Sequence, residues 1–261
     1  MAVPRPIACI TGASSGIGAE FARQLAAEGY DLILVARRTT RLDELAASLS
    51  VDCDVITADL TVAGDRNSLA NRLRHESRLR LLVNNAGFGA KGRFWESDLP
   101  IQQQMHTLHV TATLELTYAA IQNMVPRGDG AIINVASVAA FSRSQSNVSY
   151  CATKSWMVAF TEGLALELRA MASPVQVQAL CPGFTWSEFH DTMGVSRERI
   201  SKSLWMKSED VVRVSLRGLK GRKLVVIPGW RYRVCVGLFL RLPHALRMAI
   251  QQRAPHTKGR L

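Results

Sequence analysis

No stretch of this chain runs apolar and charge-free for the roughly 20 residues that a membrane-spanning helix needs, so no crossing segment is expected. Cysteine is sparse and odd in number: Cys9, Cys53, Cys151, Cys181 and Cys235, with no CxxC pair and no Cys/His ligand spacing. That scatter argues against a disulfide framework and against a metal site, and suits reduced packing thiols in a cytoplasmic protein. Internal repeats and low-complexity tracts are absent too, which excludes repeat arrays and long linkers. The first residues lead almost directly into a strand and a glycine turn, so no cleaved signal is expected.

Acidic residues are missing from one region only. Of the net charge of +11, residues 1–210 contribute 20 basic against 21 acidic side chains, whereas residues 211–261 hold 12 Lys+Arg and neither Asp nor Glu. Only the end of the chain therefore asks for an electrostatic explanation. On a helical wheel Arg233, Arg241, His244 and Arg247 fall within about a third of the circumference, and Pro243 is expected to split the segment into two helices. This extension, residues 230–261, packs its apolar side on the body or on a second subunit, or else lies on an anionic membrane surface. It has no nucleic-acid-binding motif, and a basic patch alone gives only nonspecific phosphate attraction, so nucleic acid is not an expected partner.

What is present is a chain of 261 residues, 48% hydrophobic and 20% charged, long enough for one sizeable domain. Apolar runs at 7–10, 31–35, 54–58, 80–83, 131–135, 175–180 and 223–227 read as strands. Between them lie helical patterns, one opening near Ile17 and others near 41–49, 66–75, 100–124, 150–171 and 208–218. Strict alternation of this kind predicts an α/β fold: one doubly wound parallel sheet with helices on both faces. The domain spans 1–229, and residues 184–207 form a long connection rich in Phe184, Trp186, Phe189, Met193, Leu204, Trp205 and Met206. Such a segment suits a lid over a bulky apolar substrate, or ordinary packing of a long connection.

At the first strand–helix junction stands Thr11-Gly12-Ala13-Ser14-Ser15-Gly16-Ile17-Gly18. Glycines there let backbone N–H groups approach a pyrophosphate at the positive end of a helix. After the second strand come Arg37 and Arg38, with no acid between Val35 and Arg41. An acid near this point would bind a ribose 2′-hydroxyl, whereas arginine accommodates a 2′-phosphate, so NADP(H) is favoured over NAD(H). The bland alternative is two solvated arginines.

Tyr150-Cys-Ala-Thr-Lys154 puts a phenol and an ammonium one helical turn apart on one face. An opposite charge at that distance favours phenolate, so Lys154 is expected to lower the Tyr150 pKa. Ser137, thirteen residues earlier, is placed to bind the same substrate oxygen. Alone, the pair would read as a surface i,i+4 contact; its context decides otherwise.

These motifs in order, TGASSGIG at 11–18, Asp59-Leu60, NNAG at 84–87, Ser137, YCATK at 150–154 and Pro182-Gly183, resemble the short-chain dehydrogenase/reductase family over roughly residues 5–230. The resemblance implies a Rossmann-type fold and hydride transfer between a nicotinamide and a carbonyl or secondary alcohol, with Tyr150 as acid/base. It implies that Gly12, Ser14, Ser15, Gly16, Ile17 and Gly18 wrap the ribose and pyrophosphate, and that Asp59 and Leu60 contact the adenine. Asn85, Ala86 and Gly87 would line the cofactor; Ser137 would orient the substrate; Lys154 would bind the nicotinamide ribose. Pro182, Gly183, Thr185 and Ser187 would touch the nicotinamide and its phosphate. A homodimer or homotetramer through the helices around 100–124 and 150–170 is implied as well. The chain departs from the family where an Asn is usual in the helix before the catalytic serine: His109 stands there. It either relays protons or packs in a catalytically impaired cofactor-binding module.

Overall fold

The computed structural model describes residues 4–90, 92–188 and 201–253. Seven parallel strands form one sheet in the order β3-β2-β1-β4-β5-β6-β7. They are β1 (Ile7–Thr11), β2 (Asp31–Ala36), β3 (Cys53–Thr57), β4 (Leu79–Asn84), β5 (Ala131–Val135), β6 (Gln176–Leu180) and β7 (Val225–Val226). Strands β1, β2 and β5 are buried along their whole length, as expected of near-continuous apolar runs covered on both faces. The edge strand β3 is only partly buried. The other edge, β7, has two residues rather than the five expected from Lys223–Ile227: a turn with Arg222 at positive φ precedes it, and Pro228, which has no N–H to give a ladder, follows it.

Helices α1 (Gly16–Ala27), α2 (Thr39–Ala47) and α7 (Ser208–Lys220) cover one face, burying Phe21, Leu25, Leu42, Leu45, Val211 and Leu216 against Ala8, Ile10 and Leu34. On the other face α3 (Ala63–His75), α5 (Ala112–Arg127) and α6 (Val148–Ala170) bury Leu69, Leu73, Leu116 and Leu168 against Cys9, Ile33 and Val35. The chain leaves β1 toward β2 and β3, then returns to β4 on the opposite side of β1. That reversal opens a crevice at the carboxyl ends of β1 and β4, where ligands of such sheets bind.

One expected helix is two. Helix α4 (Leu99–His106) gives way to a π-helical turn at Thr107–Thr111 before α5 begins. β-Branched Thr107, Val110 and Thr111 weaken regular helix at that point, and the wider turn carries His109, whose side chain is buried. The tail also forms two helices, α8 (Trp230–Arg241) and α9 (His244–Arg253). The break removes the continuous wheel: Arg233 and Arg241 belong to α8, His244 and Arg247 to α9.

The crevice is closed from below by a polar lock. Thr11 Oγ1 donates to Val83 O at 3.3 Å and accepts from the N–H groups of Asn85 and Ala86, each at 3.0 Å. Asn85 Nδ2 donates back to Thr11 O at 2.9 Å and Gly12 O at 3.2 Å. Deeper, Asn84 Nδ2 bonds Asn134 Oδ1 and Thr117 Oγ1, and Asn134 Nδ2 bonds Thr161 Oγ1. These bonds tie the central strands to α5 and α6 and leave no room at the turn. A Cβ on Gly18 would lie 2.2 Å from Gly12 O and 2.6 Å from Asn85 Nδ2. Gly18→Ala is therefore expected to cost about 2 kcal/mol or more in urea unfolding. Gly163→Ala, in open space on α6, is expected to gain about 0.5–1 kcal/mol; equal effects at the two positions would contradict the lock.

Candidate active site

Gly12 and Gly16 take left-handed φ of 67° and 56°, so the turn needs glycine for its shape. Ser15 caps α1 in extended backbone but makes no side-chain cap bond, and the first turn of α1 has no acid. The positive end of α1 thus faces the crevice with N–H groups suited to an anion. Arg38 reaches the same turn: its Nε and Nη2 donate to Ser14 Oγ at 3.2 and 3.0 Å, and Nη2 to Ser15 Oγ at 2.9 Å. Arg37 does something different. Its Nη1 lies 3.9 Å from Asp59 Oδ2 on the surface. Burial works against the Asp59 charge, but hydrogen bonds from the Thr61 amide and hydroxyl, with Arg37 beside them, hold the carboxyl below its usual range. Leu60 turns its side chain into the core. Of the two arginines, then, Arg38 joins the glycine turn and Arg37 the Asp59 edge.

Helix α6 begins at Val148, two residues before Tyr150, and brings Tyr150 and Lys154 together as the spacing predicts: Lys154 Nζ is 5.9 Å from the Tyr150 ring centroid. The ammonium is buried and donates to Val135 O at the end of β5, at 2.8 Å. Ser137, just beyond β5, accepts from Ala139 N at 3.1 Å and hydrogen-bonds the Tyr150 phenol. The three groups predicted from sequence therefore meet at the junction of β5 and α6.

Their titration differs from the expectation. Burial pushes Tyr150 up to about 12, opposed only in part by the Ser137 hydrogen bond. Burial also brings Lys154 down to about 7. A lysine that loses its own charge to desolvation does not lower its neighbour, so the expected Lys154 effect on the phenol is absent in this arrangement.

His109 is fully buried, its ring 5.9 Å from that of Tyr150 in an edge-on arrangement. Its Nδ1 lies 2.9 Å from Thr153 Oγ1, which itself donates to Tyr150 O at 3.1 Å. With its one proton committed, the hydroxyl must accept from Nδ1–H, which leaves Nε2 as a bare acceptor. Nε2 has no hydrogen-bond partner among the described residues and sits 2.6 Å from where a Cβ on Gly87 would stand. A side chain at position 87 would therefore collide with the histidine. Desolvation first, and the nearby Lys154 second, hold His109 well below its ordinary pKa, so the ring is neutral.

On the substrate side, Val138 N donates to Pro182 O, joining the Ser137 loop to the segment after β6. Thr185 is buried and bonds Gly183 O, and Ser187 Cβ stands 2.9 Å from where Gly16 would carry a Cβ. Phe184, Trp186 and Trp205 form an aromatic stack, with ring centroids 4.5 Å apart for the two tryptophans. Phe189 and Met193 lie outside the described residues.

Sequence reasoning missed Tyr232. It comes from the tail, yet its ring covers Gly183, where a Cβ would approach to 2.2 Å; its hydroxyl accepts from Phe184 N and donates to Leu204 O at 2.7 Å. Helix α9 similarly joins the loop before α6, Gln251 Oε1 accepting from Arg143 N and Gln145 Nε2 donating to Gln252 O. The inner side of the tail thus braces both loops that flank Ser137 and Tyr150. An aromatic residue 48 positions after its partner leaves no local signal.

The buried lysine gives a signed prediction. Below about pH 7 both folded and unfolded Lys154 are charged and the burial penalty is complete. Between about 7 and 10.5 the folded lysine is neutral while the unfolded one still binds a proton, so stability rises with pH across that window. Lys154→Met is expected to raise urea stability of the cofactor-free protein by on the order of 2 kcal/mol at pH 7, with the orphaned Val135 carbonyl offsetting part of the gain. The gain should shrink toward pH 10; a loss of stability at pH 7 would contradict the assignment.

Comparisons with known proteins agree with this geometry. The family model for short chain dehydrogenase matches residues 6–196. An uncharacterized oxidoreductase of Staphylococcus epidermidis is 31% identical over 182 residues, covering 69% of this chain and 78% of that protein. A short-chain dehydrogenase from Sphingobium yanoikuyae, solved in complex with NADPH, is 33% identical and superposes with a TM-score of 0.82 over 98% of each chain. A bulky-bulky ketone specific alcohol dehydrogenase from Comamonas testosteroni is 32% identical, with a TM-score of 0.77 over 93% of this chain and 97% of that one. With the glycine turn, the Ser137–Tyr150–Lys154 group and a family match across most of its length, this chain belongs to the short-chain dehydrogenase/reductase family of oxidoreductases.

Proposed function

We propose that the protein is an NADPH-dependent reductase of bulky, apolar ketones or aldehydes, able to run in reverse on the secondary alcohol. The carrying observation is the half-buried Tyr150 phenol, hydrogen-bonded to Ser137 and pushed up to about 12. At neutral pH it is protonated, which is the form an acid needs to protonate a carbonyl oxygen as it becomes an alkoxide. Ser137 donates to the same oxygen and orients it. The nicotinamide cofactor supplies the hydride when bound. The donors present fit that cofactor: uncapped N–H groups at the start of α1 for the pyrophosphate, and Arg38 with Ser14 and Ser15 for a 2′-phosphate. Arg37 and Asp59 flank the adenine, and Ala86, Gly87, Pro182, Thr185 and Ser187 line the nicotinamide half. Lys154, anchored on Val135 O, presents its remaining protons to the nicotinamide ribose. His109 braces the helix turn carrying Tyr150 through Thr153 and turns a bare acceptor toward the Lys154 side. It supports the site as a positioning residue, which disfavours the reading of a cofactor-binding module without chemistry. The aromatic stack of Phe184, Trp186 and Trp205 supports a bulky apolar substrate, in keeping with the bulky-bulky ketone specificity of the similar Comamonas enzyme.

The proposed assembly is a homodimer or homotetramer in the cytoplasm, with Leu114 and Tyr118 on α5 and Leu166 on α6 as exposed apolar contacts. The outer side of the tail favours a further partner. Trp230, Val234 and Leu238 are exposed at i, i+4 and i+8 on α8, beside Arg231, Arg233 and Arg241. That combination suits shallow contact with an anionic bilayer. No helix among the described residues is long and apolar enough to cross a membrane.

NADPH oxidation against a panel of ketones, aldehydes and 3-oxoacyl thioesters, with NADH as control, tests the reaction. Tyr150→Phe is expected to lose at least about a hundredfold in kcat while binding NADPH normally; full turnover would remove the proposed acid. Reduction should hold toward acidic pH and alcohol oxidation should rise toward alkaline pH, following the raised phenol. Vesicles containing phosphatidylserine should co-sediment the protein, and Trp230→Ser with Leu238→Ser should abolish this without loss of activity. Binding to neutral vesicles alone would contradict the charge argument.

A further inference from the structure

The Arg38 cluster contains an anion already. Glu188 Oε2 pairs with Arg38 Nη1 at 2.8 Å and Glu188 Oε1 with Arg41 Nη1 at 2.6 Å. The two guanidiniums hold its carboxyl below the usual range. All three side chains are nearly half exposed, at 44%, 49% and 44% for Arg38, Arg41 and Glu188, so the cluster is open to a solute. The carboxylate spans the gap between two arginines, a geometry that a phosphate matches with more oxygens and more charge. Arg38 meanwhile keeps Ser14 and Ser15 with its other nitrogens. The neighbouring Ser187 lies against Gly16, so the chain from 185 to 188 runs across the glycine turn itself.

We propose that Glu188 is an internal competitor for the 2′-phosphate of the cofactor: its carboxylate occupies the Arg38–Arg41 pair, and the phosphate displaces it on binding. Glu188 therefore sets both the affinity for the phosphorylated cofactor and the margin by which NADPH is preferred over NADH. Arg41 enters as the second phosphate-reading arginine, a role that its place inside α2 concealed. The exchange is one of ion pairs only. The carboxylate moves to solvent as the phosphate takes its partners, and no covalent bond changes. NADH, lacking the phosphate, leaves Glu188 paired and gains nothing from the two arginines. This inference rests on the NADPH reading above and adds to it a residue that opposes binding.

Isothermal titration of the full chain with adenosine 2′,5′-bisphosphate and with adenosine 5′-monophosphate separates the two. Glu188→Gln is expected to tighten the bisphosphate roughly three- to tenfold, because two exposed ion pairs no longer compete, and to leave the monophosphate within about twofold. Glu188→Ala should do the same, and Arg41→Ala should weaken the bisphosphate. If Arg38→Ala and Arg41→Ala weaken the bisphosphate but the Glu188 variants leave it unchanged or weaken it, Glu188 is a positioning residue. The competitor is then overturned while the NADPH reading stands. If the unaltered protein binds both nucleotides alike and Arg38→Ala changes neither, the NADPH reading fails and the competitor with it.

Discussion

The candidate site is arranged around one costly contact, the Lys154 amine buried against the Val135 carbonyl at the end of β5. Among the described residues Lys154 has no carboxylate to meet it, and burial takes its pKa from 10.5 down to about 7. A chain keeps such a group only where its surroundings are rigid enough to hold it, and here the central sheet supplies that rigidity. Asn84, Asn134 and Thr161 form a hydrogen-bonded ladder from β4 through β5 to α6, the helix that carries Tyr150 and Lys154. The Thr11–Asn85 lock does the same for the glycine turn on the other side of the crevice. Two polar networks, both on the central strands, thus fix the two halves of the site relative to one another.

Much of this was legible in the residues. Apolar runs such as Leu32–Val35 have no other place than a sheet covered on both faces, and the alternation with helical patterns gave the winding. Glycines that must take positive φ and a Tyr/Lys pair at one-turn spacing are local signals, so they survive without coordinates. The losses come from contacts made at long range. Nothing near Tyr232 announces that it lies on Gly183, and nothing near Glu188 announces Arg38, 150 residues earlier. The direction of the Tyr150 shift was lost for a related reason: spacing reports that a charge is close, but only packing reports how much water both groups give up. The π turn at His109 and the short β7 are departures in which local sequence permits the regular element and tertiary packing selects another.

The tail has two sides with different physics. Inward, Tyr232 and Gln251 brace the loops around the site. Outward, an apolar row flanked by arginines remains exposed on a chain whose body is close to neutral. A second copy presenting the same row would set arginine against arginine, whereas an anionic bilayer answers both the apolar area and the charge. Treating residues 230–261 as a separate extension misses the inward half of this arrangement, because α8 and α9 are part of what shapes the substrate side.

The proposed chemistry stands on the protonation states of a half-buried phenol and a buried amine. Nitrogen-15 NMR of the Lys154 side chain, assigned by loss of the signal in Lys154→Met, reads this directly. Titration near pH 7 is the predicted result. Titration at or above 10 would mean a solvated or ion-paired ammonium and would contradict the burial on which the proposed chemistry rests.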